Sequence, residues 1–105
     1  GQYELKANCV LRLGDFEYSL LEGSFKRVIL DFDIRGGERI KPLKRVHSRE
    51  LKKLYAEYDV PYFMRRSQCV IRNEGGTVLG VGDLFSCVIW GEGREKGPFL
   101  TIKRV

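Results

Sequence analysis

Positive charge in this sequence is concentrated between residues 35 and 66. That segment holds ten Lys or Arg and four Asp or Glu, a net charge of +6, whereas the whole chain of 105 residues carries +5. A concentrated cationic patch attracts polyanions and raises their association rates. The segment therefore indicates a binding surface, with nucleic acid as the leading candidate ligand.

A helix is predicted at the centre of this segment, because its apolar residues fall at i, i+3, i+4 and i+7 and so share one face. These residues are Leu51, Leu54, Tyr55 and Tyr58. Ser48 is predicted to cap the helix start, where free backbone amides would also form an anion site. Val60 and Pro61 are predicted to end the helix, since proline disfavours helical geometry at the preceding residue.

Alternating apolar residues predict strands on both sides of the basic segment. The clearest is residues 28–34, where Asp31 and Asp33 lie on the face opposite Val28 and Leu30. The other predicted strands are residues 3–13, 16–20, 69–72, 77–81, 84–90 and 99–105. We therefore expect residues 1–105 to form a single α+β domain, a small, mainly antiparallel, β-sandwich-like structure of about six or seven short strands with one principal helix packed on it.

Two features allow a catalytic or phosphate-binding interpretation, and each also has a simpler one. Asp31 and Asp33 suit a metal or acid-base pair, but a solvated strand face is favoured because no third ligand or partner is evident. Gly36 and Gly37 suit a phosphate loop, yet neither GxxxxGK[ST] nor GxGxxG is present. A turn that directs the following cations outward is therefore the favoured interpretation.

The aromatic run after the helix also has two interpretations. Tyr62, Phe63 and Met64 are predicted to pack in the core, because a small domain needs its large apolar side chains inside. The alternative is that these rings, beside two arginines, stack on exposed bases. His47 is either a polar group near the helix start or a nucleic-acid contact.

Cysteine usage and hydropathy together predict the cellular location of the protein. Cys9, Cys69 and Cys87 are far apart and form no CxxC pair, which predicts buried thiols in a reducing cytoplasm and argues against disulfides or a zinc site. No apolar run approaches the roughly 20 residues that span a bilayer, and no signal peptide opens the chain. We expect a cytoplasmic protein with no membrane contact, no metal and no catalytic residues.

A series of residues in the basic segment has a distinctive order and spacing. The series is Arg35-Gly36-Gly37-Glu38-Arg39, Pro42, His47-Ser48, Leu51-Lys52-Lys53-Leu54, Glu57, Val60-Pro61 and Arg65, and the run VLGVGDL follows at residues 78–84. Together they resemble the C-terminal domain of bacterial tRNA(Ile)-lysidine synthase, over residues 28–88. The family often has Asp and Pro where this chain has Arg66 and Cys69.

The resemblance implies a specific role. The family's enzyme uses ATP to adenylate the wobble cytidine of the tRNA(Ile) with anticodon CAU, and a lysine amine then displaces AMP. An N-terminal catalytic domain carries that chemistry, with ATP and magnesium, so this chain would be the tRNA-binding domain that holds the acceptor stem and would need no cofactor itself. The implied tRNA contacts are Arg35, Arg39, Lys41, Lys44, Arg45, His47, Lys52, Lys53 and Arg65.

A second class of function fits the same residues. A run of charge is by default a solvated surface, so the chain also suits a basic protein-interaction or structural module with no RNA partner.

Overall fold

The computed structural model describes residues 1–21, 23, 25–91 and 97–105. Within them lie ten strands, one α-helix and one 3-10 helix. The strands are β1 (Gln2–Lys6), β2 (Val10–Leu13), β3 (Phe16–Leu20), β4 (Arg27–Asp31), β5 (Arg39–Ile40), β6 (Arg49–Glu50), β7 (Val70–Arg72), β8 (Val78–Val81), β9 (Phe85–Ser86) and β10 (Leu100–Arg104). Helix α1 is Leu51–Glu57, and the 3-10 helix is Tyr62–Ser67.

All strand pairings in the described residues are antiparallel, which confirms the predicted α+β class. A five-stranded sheet has the order β1-β4-β7-β8-β9, a three-stranded sheet the order β10-β3-β2, and β5 pairs with β6 alone. Three more strands are present than the seven predicted. The run 3–13 divides into β1 and β2, which join different sheets, and β5 and β6 form inside the basic segment.

The five-stranded sheet is the central layer, and each of its faces covers a separate core. Leu30 and Ile71 lie in a first core shared with Tyr18 and Leu100 of the three-stranded sheet, a sandwich-like arrangement. Val70 belongs to a second core, together with buried residues of α1. Neighbouring residues of a strand point to opposite faces of the sheet. Val70 therefore packs on the side of α1, and Ile71 packs on the side of the three-stranded sheet.

Two predicted strands end earlier than the apolar pattern suggested, and the cause is the same in both. The predicted strand 28–34 stops at Asp31, where the Asp33 amide donates to Asp31 Oδ1 at 2.9 Å. The predicted strand 84–90 is reduced to β9, where the Val88 amide donates to Ser86 Oγ at 3.1 Å. Side-chain oxygens thus take the amides that a ladder would use. Most of the glycine-rich stretch 91–97 lies outside the described residues.

The prediction that Asp31 lies on a solvated face is wrong. Asp31 is 5% exposed, and its Oδ2 accepts from Arg72 Nε at 2.9 Å, while Arg72 also donates to both oxygens of Glu38 at 2.8 and 2.9 Å. Burial alone would raise the pKa of Asp31, but the hydrogen bonds from Arg72 and the Asp33 amide outweigh it and lower that pKa. Asp33 is exposed and pairs with the terminal amine of Gly1.

The three thiols differ in exposure, so the prediction of buried cysteines is wrong for Cys9. Cys69 is buried, Cys87 is half-buried and Cys9 is exposed. Cys9 follows Asn8, which has a positive φ of 65° in the turn between β1 and β2. Burial raises the pKa of Cys69 to about 12 and that of Cys87 to about 11.

These differences predict the order of alkylation. At about pH 8 the folded chain should react with iodoacetamide at Cys9, while Cys69 stays unmodified because the thiolate is the reactive form. Peptide mass spectrometry over time measures each site, with a urea-unfolded sample as the control in which all three react. Modification of Cys69 as fast as Cys9 in the folded chain would contradict the assignment.

Candidate nucleic-acid interface

The basic segment is held to the protein by a short ladder at its base. Arg39 pairs with Glu50 and Ile40 with Arg49, so residues 41–48 form a closed loop, the basic loop. Ile40 is buried in the second core, and the amide of Leu43 donates to the carbonyl of Ser86 at 2.9 Å. The loop therefore leaves from β5 and returns at β6, directly before α1.

The start of α1 is capped by the glycine turn, so two predictions are wrong. The amide of Leu51 donates to the carbonyl of Glu38 at 2.8 Å, and that of Lys52 donates to the carbonyl of Gly36 at 3.0 Å. These amides are therefore unavailable to an anion. Ser48 is not the cap; its Oγ and carbonyl accept from Arg39 at 3.2 and 2.8 Å. The favoured interpretation of Gly36 and Gly37 as a turn is confirmed, since Glu38 closes it by donating to Arg35.

The end of α1 also lies earlier than the predicted stop at Val60. Asp59 has a positive φ of 54°, its amide donates to the carbonyl of Ala56, and the amide of Val60 donates to that of Tyr55. This pair of backbone hydrogen bonds is a common way for a helix to end, and it allows the last apolar residues of the helix to remain packed. The predicted apolar face is confirmed, because Leu51, Leu54 and Tyr55 are buried.

Cations from the loop, the ladder and the helix meet in one depression of about 440 Å³, the basic groove. It is lined by Arg39, Arg45, Val46, His47, Ser48, Arg49, Glu50 and Lys53. The groove is therefore lined by four Lys or Arg side chains and one carboxylate. The ladder and the cap of α1 fix the positions of β5, β6 and the start of the helix, which carry three of these cations. The positive charge is therefore concentrated by the fold as well as by the sequence.

Two of these four cations already share a carboxylate partner, because Glu57 accepts from Arg45 at 3.0 Å and lies 2.6 Å from Arg49. Glu50, which lines the groove, lies 3.5 Å from Lys52, which does not. Exposed pairs of this kind contribute roughly 0–1 kcal/mol each, so a phosphate can replace the carboxylate at small cost. Across the described residues, no ion pair within 4 Å involves Lys53.

A second depression of about 510 Å³ is also lined by residues of α1, and we call it the aromatic groove. It is lined by Ile34, Gly36, Lys52, Tyr55, Tyr62, Phe63, Arg65 and Arg66. Tyr62 and Phe63 are 85% and 80% exposed, so the prediction that they pack in the core is wrong, whereas Met64 does contact the second core. A 3-10 helix repeats every three residues, which places Met64 and Ser67 inward and leaves the two rings outside.

Sequence and fold comparisons relate this chain to known proteins. The family model for the "TilS substrate C-terminal domain" matches residues 28–99. The chain belongs to this family. The match confirms the resemblance drawn from residues 28–88 and places the chain in the context of tRNA modification, within the tRNA-lysidine synthase family. A comparison with curated proteins gives no significant match.

A solved structure, "Crystal structure of TILS C-terminal domain", has the same fold. Its TM-score is 0.61 at 17% sequence identity, and the alignment covers 97% of this chain and 93% of that chain. The TilS residues that carry the resemblance here are largely structural. Gly36 and Glu38 cap α1, Leu51 and Leu54 pack it, and Val60 closes its end.

The nine candidate contacts are divided between surfaces. Arg39, Arg45, His47 and Lys53 line the basic groove, while Lys52 and Arg65 line the aromatic groove. Arg35 lines a third depression, of mixed charge, with Asp31, Asp33, Glu38 and Arg72. Lys41 and Lys44 are exposed on the basic loop.

Two groove residues were missing from the candidate contacts. Arg49 lines the basic groove and Arg66 lines the aromatic groove. Both lie in the basic segment, so the charge count alone was the signal that could have found them. Within the described residues, no group of three or more His, Cys, Asp or Glu is placed to hold a metal, and no helix is long and apolar enough to cross a membrane.

Proposed function

We propose that this chain is the tRNA-docking domain of a tRNA(Ile)-lysidine synthase and that it binds the acceptor stem. The observation that carries the proposal is the basic groove, in which Arg39, Arg45, Arg49 and Lys53 come from the ladder, the basic loop and α1 to one surface. Membership of the TilS C-terminal domain family supports the choice of tRNA over other polyanions.

The geometry suits recognition of a stem by its backbone. The deep major groove of duplex RNA is closed to side chains, so proteins bind its phosphates and 2′-hydroxyls and read its shape. Arginine binds phosphate through two parallel hydrogen bonds, and Arg45 and Arg49 already hold such an acceptor in Glu57. On binding, the phosphates would take the place of that carboxylate.

The proposal assigns the covalent chemistry to another part of the synthase. Residues 1–105 would form one cytoplasmic domain that positions tRNA(Ile), while an N-terminal catalytic domain holds ATP and magnesium and joins lysine to the wobble cytidine. The sequence here has no Gly-rich phosphate-loop motif for ATP. We expect the chain alone to show neither ATP hydrolysis nor lysine transfer.

A binding titration tests the role of the cations. Lys52→Ala with Lys53→Ala should weaken binding to an acceptor-stem minihelix of tRNA(Ile) by roughly 10-fold or more near 0.1 M salt, because, by analogy with duplex DNA, each phosphate contact contributes about 0.9 to the log-log salt slope. Both lysines are exposed helix positions and alanine is the best helix former, so the variant should stay folded. Filter binding at several salt concentrations gives both the affinity and the slope.

The matched control removes two cations from the opposite sheet. Arg12→Ala with Lys103→Ala makes the same change in net charge on β2 and β10 and should leave stem binding nearly unchanged. An anticodon-stem minihelix of equal length tests the choice of stem, and equal affinity for both stems would contradict acceptor-stem docking. If the natural chain ignores every RNA at low salt, the chain is instead a protein-interaction or structural module.

A further inference from the structure

Two large aromatic side chains lie in solvent beside α1. Tyr62 and Phe63 are 85% and 80% exposed, although rings of this size normally lie inside a small domain. They belong to the aromatic groove, where Lys52, Arg65 and Arg66 supply positive charge. No Asp or Glu is among the described residues that line it, so an anionic ligand with an apolar face is the best chemical match.

One of the two rings has a cation–π contact within the protein. The guanidinium of Arg65 lies 5.7 Å from the ring centroid of Tyr62 and 5.6 Å from that of buried Tyr55, and Arg65 Nε donates to the carbonyl of Val60 at 3.3 Å. Arg65 thus links the exposed ring to the second core. Such preorganisation lowers the entropy lost when a ligand binds.

Consecutive residues of α1 line the two grooves. Lys53 lines the basic groove and Lys52, the preceding residue, lines the aromatic groove. A single strand that continues from the end of a stem in the basic groove can therefore enter the aromatic groove. Bases inside a stem are covered on both faces, so an aromatic ring reaches a base face only where the base is unpaired or at the end of the stem.

We propose that Tyr62 and Phe63 form a stacking platform for an unpaired nucleotide at the end of the RNA stem, an inference that rests on the proposed docking function. The bases stack on the rings, while Arg66 and Lys52 neutralise the phosphates of the single strand. The contact is sequence-tolerant, because every base has a stacking face. It adds recognition of the junction between stem and single strand to recognition of the stem.

The test compares one stem in three forms, namely blunt, with a short 3′ overhang and with a short 5′ overhang. The natural chain should bind at least one overhang form about 5- to 100-fold more tightly than the blunt form. Tyr62→Ala with Phe63→Ala should remove that increment, so that the overhang forms and the blunt form bind with the same affinity. The matched control, Tyr62→Phe with Phe63→Tyr, keeps both rings and should keep the increment.

The outcomes separate this inference from the docking function. Equal affinity of the natural chain for all three forms overturns the stacking platform while stem docking stands, and loss of all RNA binding overturns both. Retention of the increment by the double alanine variant also overturns the platform. Sedimentation tests a protein contact, and self-association that disappears in the alanine variant, with no overhang increment, assigns the rings to that contact instead.

Discussion

Arg72→Leu should lower the free energy of unfolding by about 3–5 kcal/mol, because it leaves a buried charge without its partner. The Asp31 side chain is 7% exposed and that of Glu38 is 21% exposed, and Arg72 donates to both. Arg72 therefore joins strand β7 to β4 and to the turn that caps α1. Urea unfolding of the natural chain and the variant at neutral pH measures the difference.

The same variant has a predicted dependence on pH. The folded state lowers the pKa of Asp31, so its ionised form contributes stability above the unfolded value of about 3.9, and that contribution is lost as pH falls through the lower folded pKa. In Arg72→Leu the hydrogen bond from Arg72 is gone, while burial and the hydrogen bond from the Asp33 amide remain, so the pKa of Asp31 is higher in the folded variant than in the natural fold. The difference in stability between the two proteins should therefore narrow as pH falls from the pKa of Asp31 in the folded variant to its lower pKa in the natural fold.

Two controls separate the buried pair from a general charge effect. Asp33→Asn removes an exposed carboxylate two residues away and should change stability by less than roughly 0.5 kcal/mol. Adding Asp31→Asn to Arg72→Leu should recover part of the loss, because the charge left behind is then removed. A loss below about 1 kcal/mol for Arg72→Leu would show that the Asp31 carboxylate is not left as a buried, uncompensated charge when Arg72 is removed.

Leu54→Ala should cost about 2–5 kcal/mol, the range for truncating a buried leucine when its surroundings collapse incompletely. Leu54 is 0% exposed and lies in the second core, between α1 and the five-stranded sheet. The substitution leaves helix propensity intact because alanine is the best helix former, so the loss reports packing. Circular dichroism during urea unfolding gives both the free energy of unfolding and its dependence on urea concentration.

Lys53→Ala is the matched control for this helix. It truncates the neighbouring exposed side chain and should change stability by less than roughly 0.5 kcal/mol, while weakening RNA binding. Leu54→Ala should show the reverse pattern, with stem affinity nearly unchanged at temperatures where the chain is folded. A Leu54→Ala protein as stable as the natural chain would mean that α1 is not held by this core.

The face of α1 that packs on the sheet was predictable, because Leu51, Leu54 and Tyr55 follow the helical period and need no distant partner to be recognised. The hairpin between β7 and β8 was predictable for a similar reason: Asn73 and Gly76 form its turn within four residues. Local spacing and turn chemistry are written in neighbouring residues. The family resemblance came from the same kind of local pattern.

Two of the errors concern side chains whose partners lie elsewhere in the chain, and a third concerns a local turn. Asp31 alternates like a surface residue, and Arg72, 41 positions later, is what buries it. Ser48 has the type of a helix cap, but Arg39 occupies its oxygens and the carbonyls of the glycine turn cap α1 instead. Tyr62 is of a residue type that a small domain usually buries, but the 3-10 turn in which it lies directs its side chain outward.

By itself, the sequence determined the antiparallel α+β class, the position of the principal helix and the stretch that carries the excess positive charge, since periodicity and composition are local properties. The tertiary structure decided how that charge is divided, with Lys53 lining the basic groove and Lys52 lining the aromatic groove. It also decided that Glu57 pairs with Arg45 and Arg49 and that two aromatic rings stay in solvent. These outcomes depend on which distant segments meet, and only the folded chain brings those segments together.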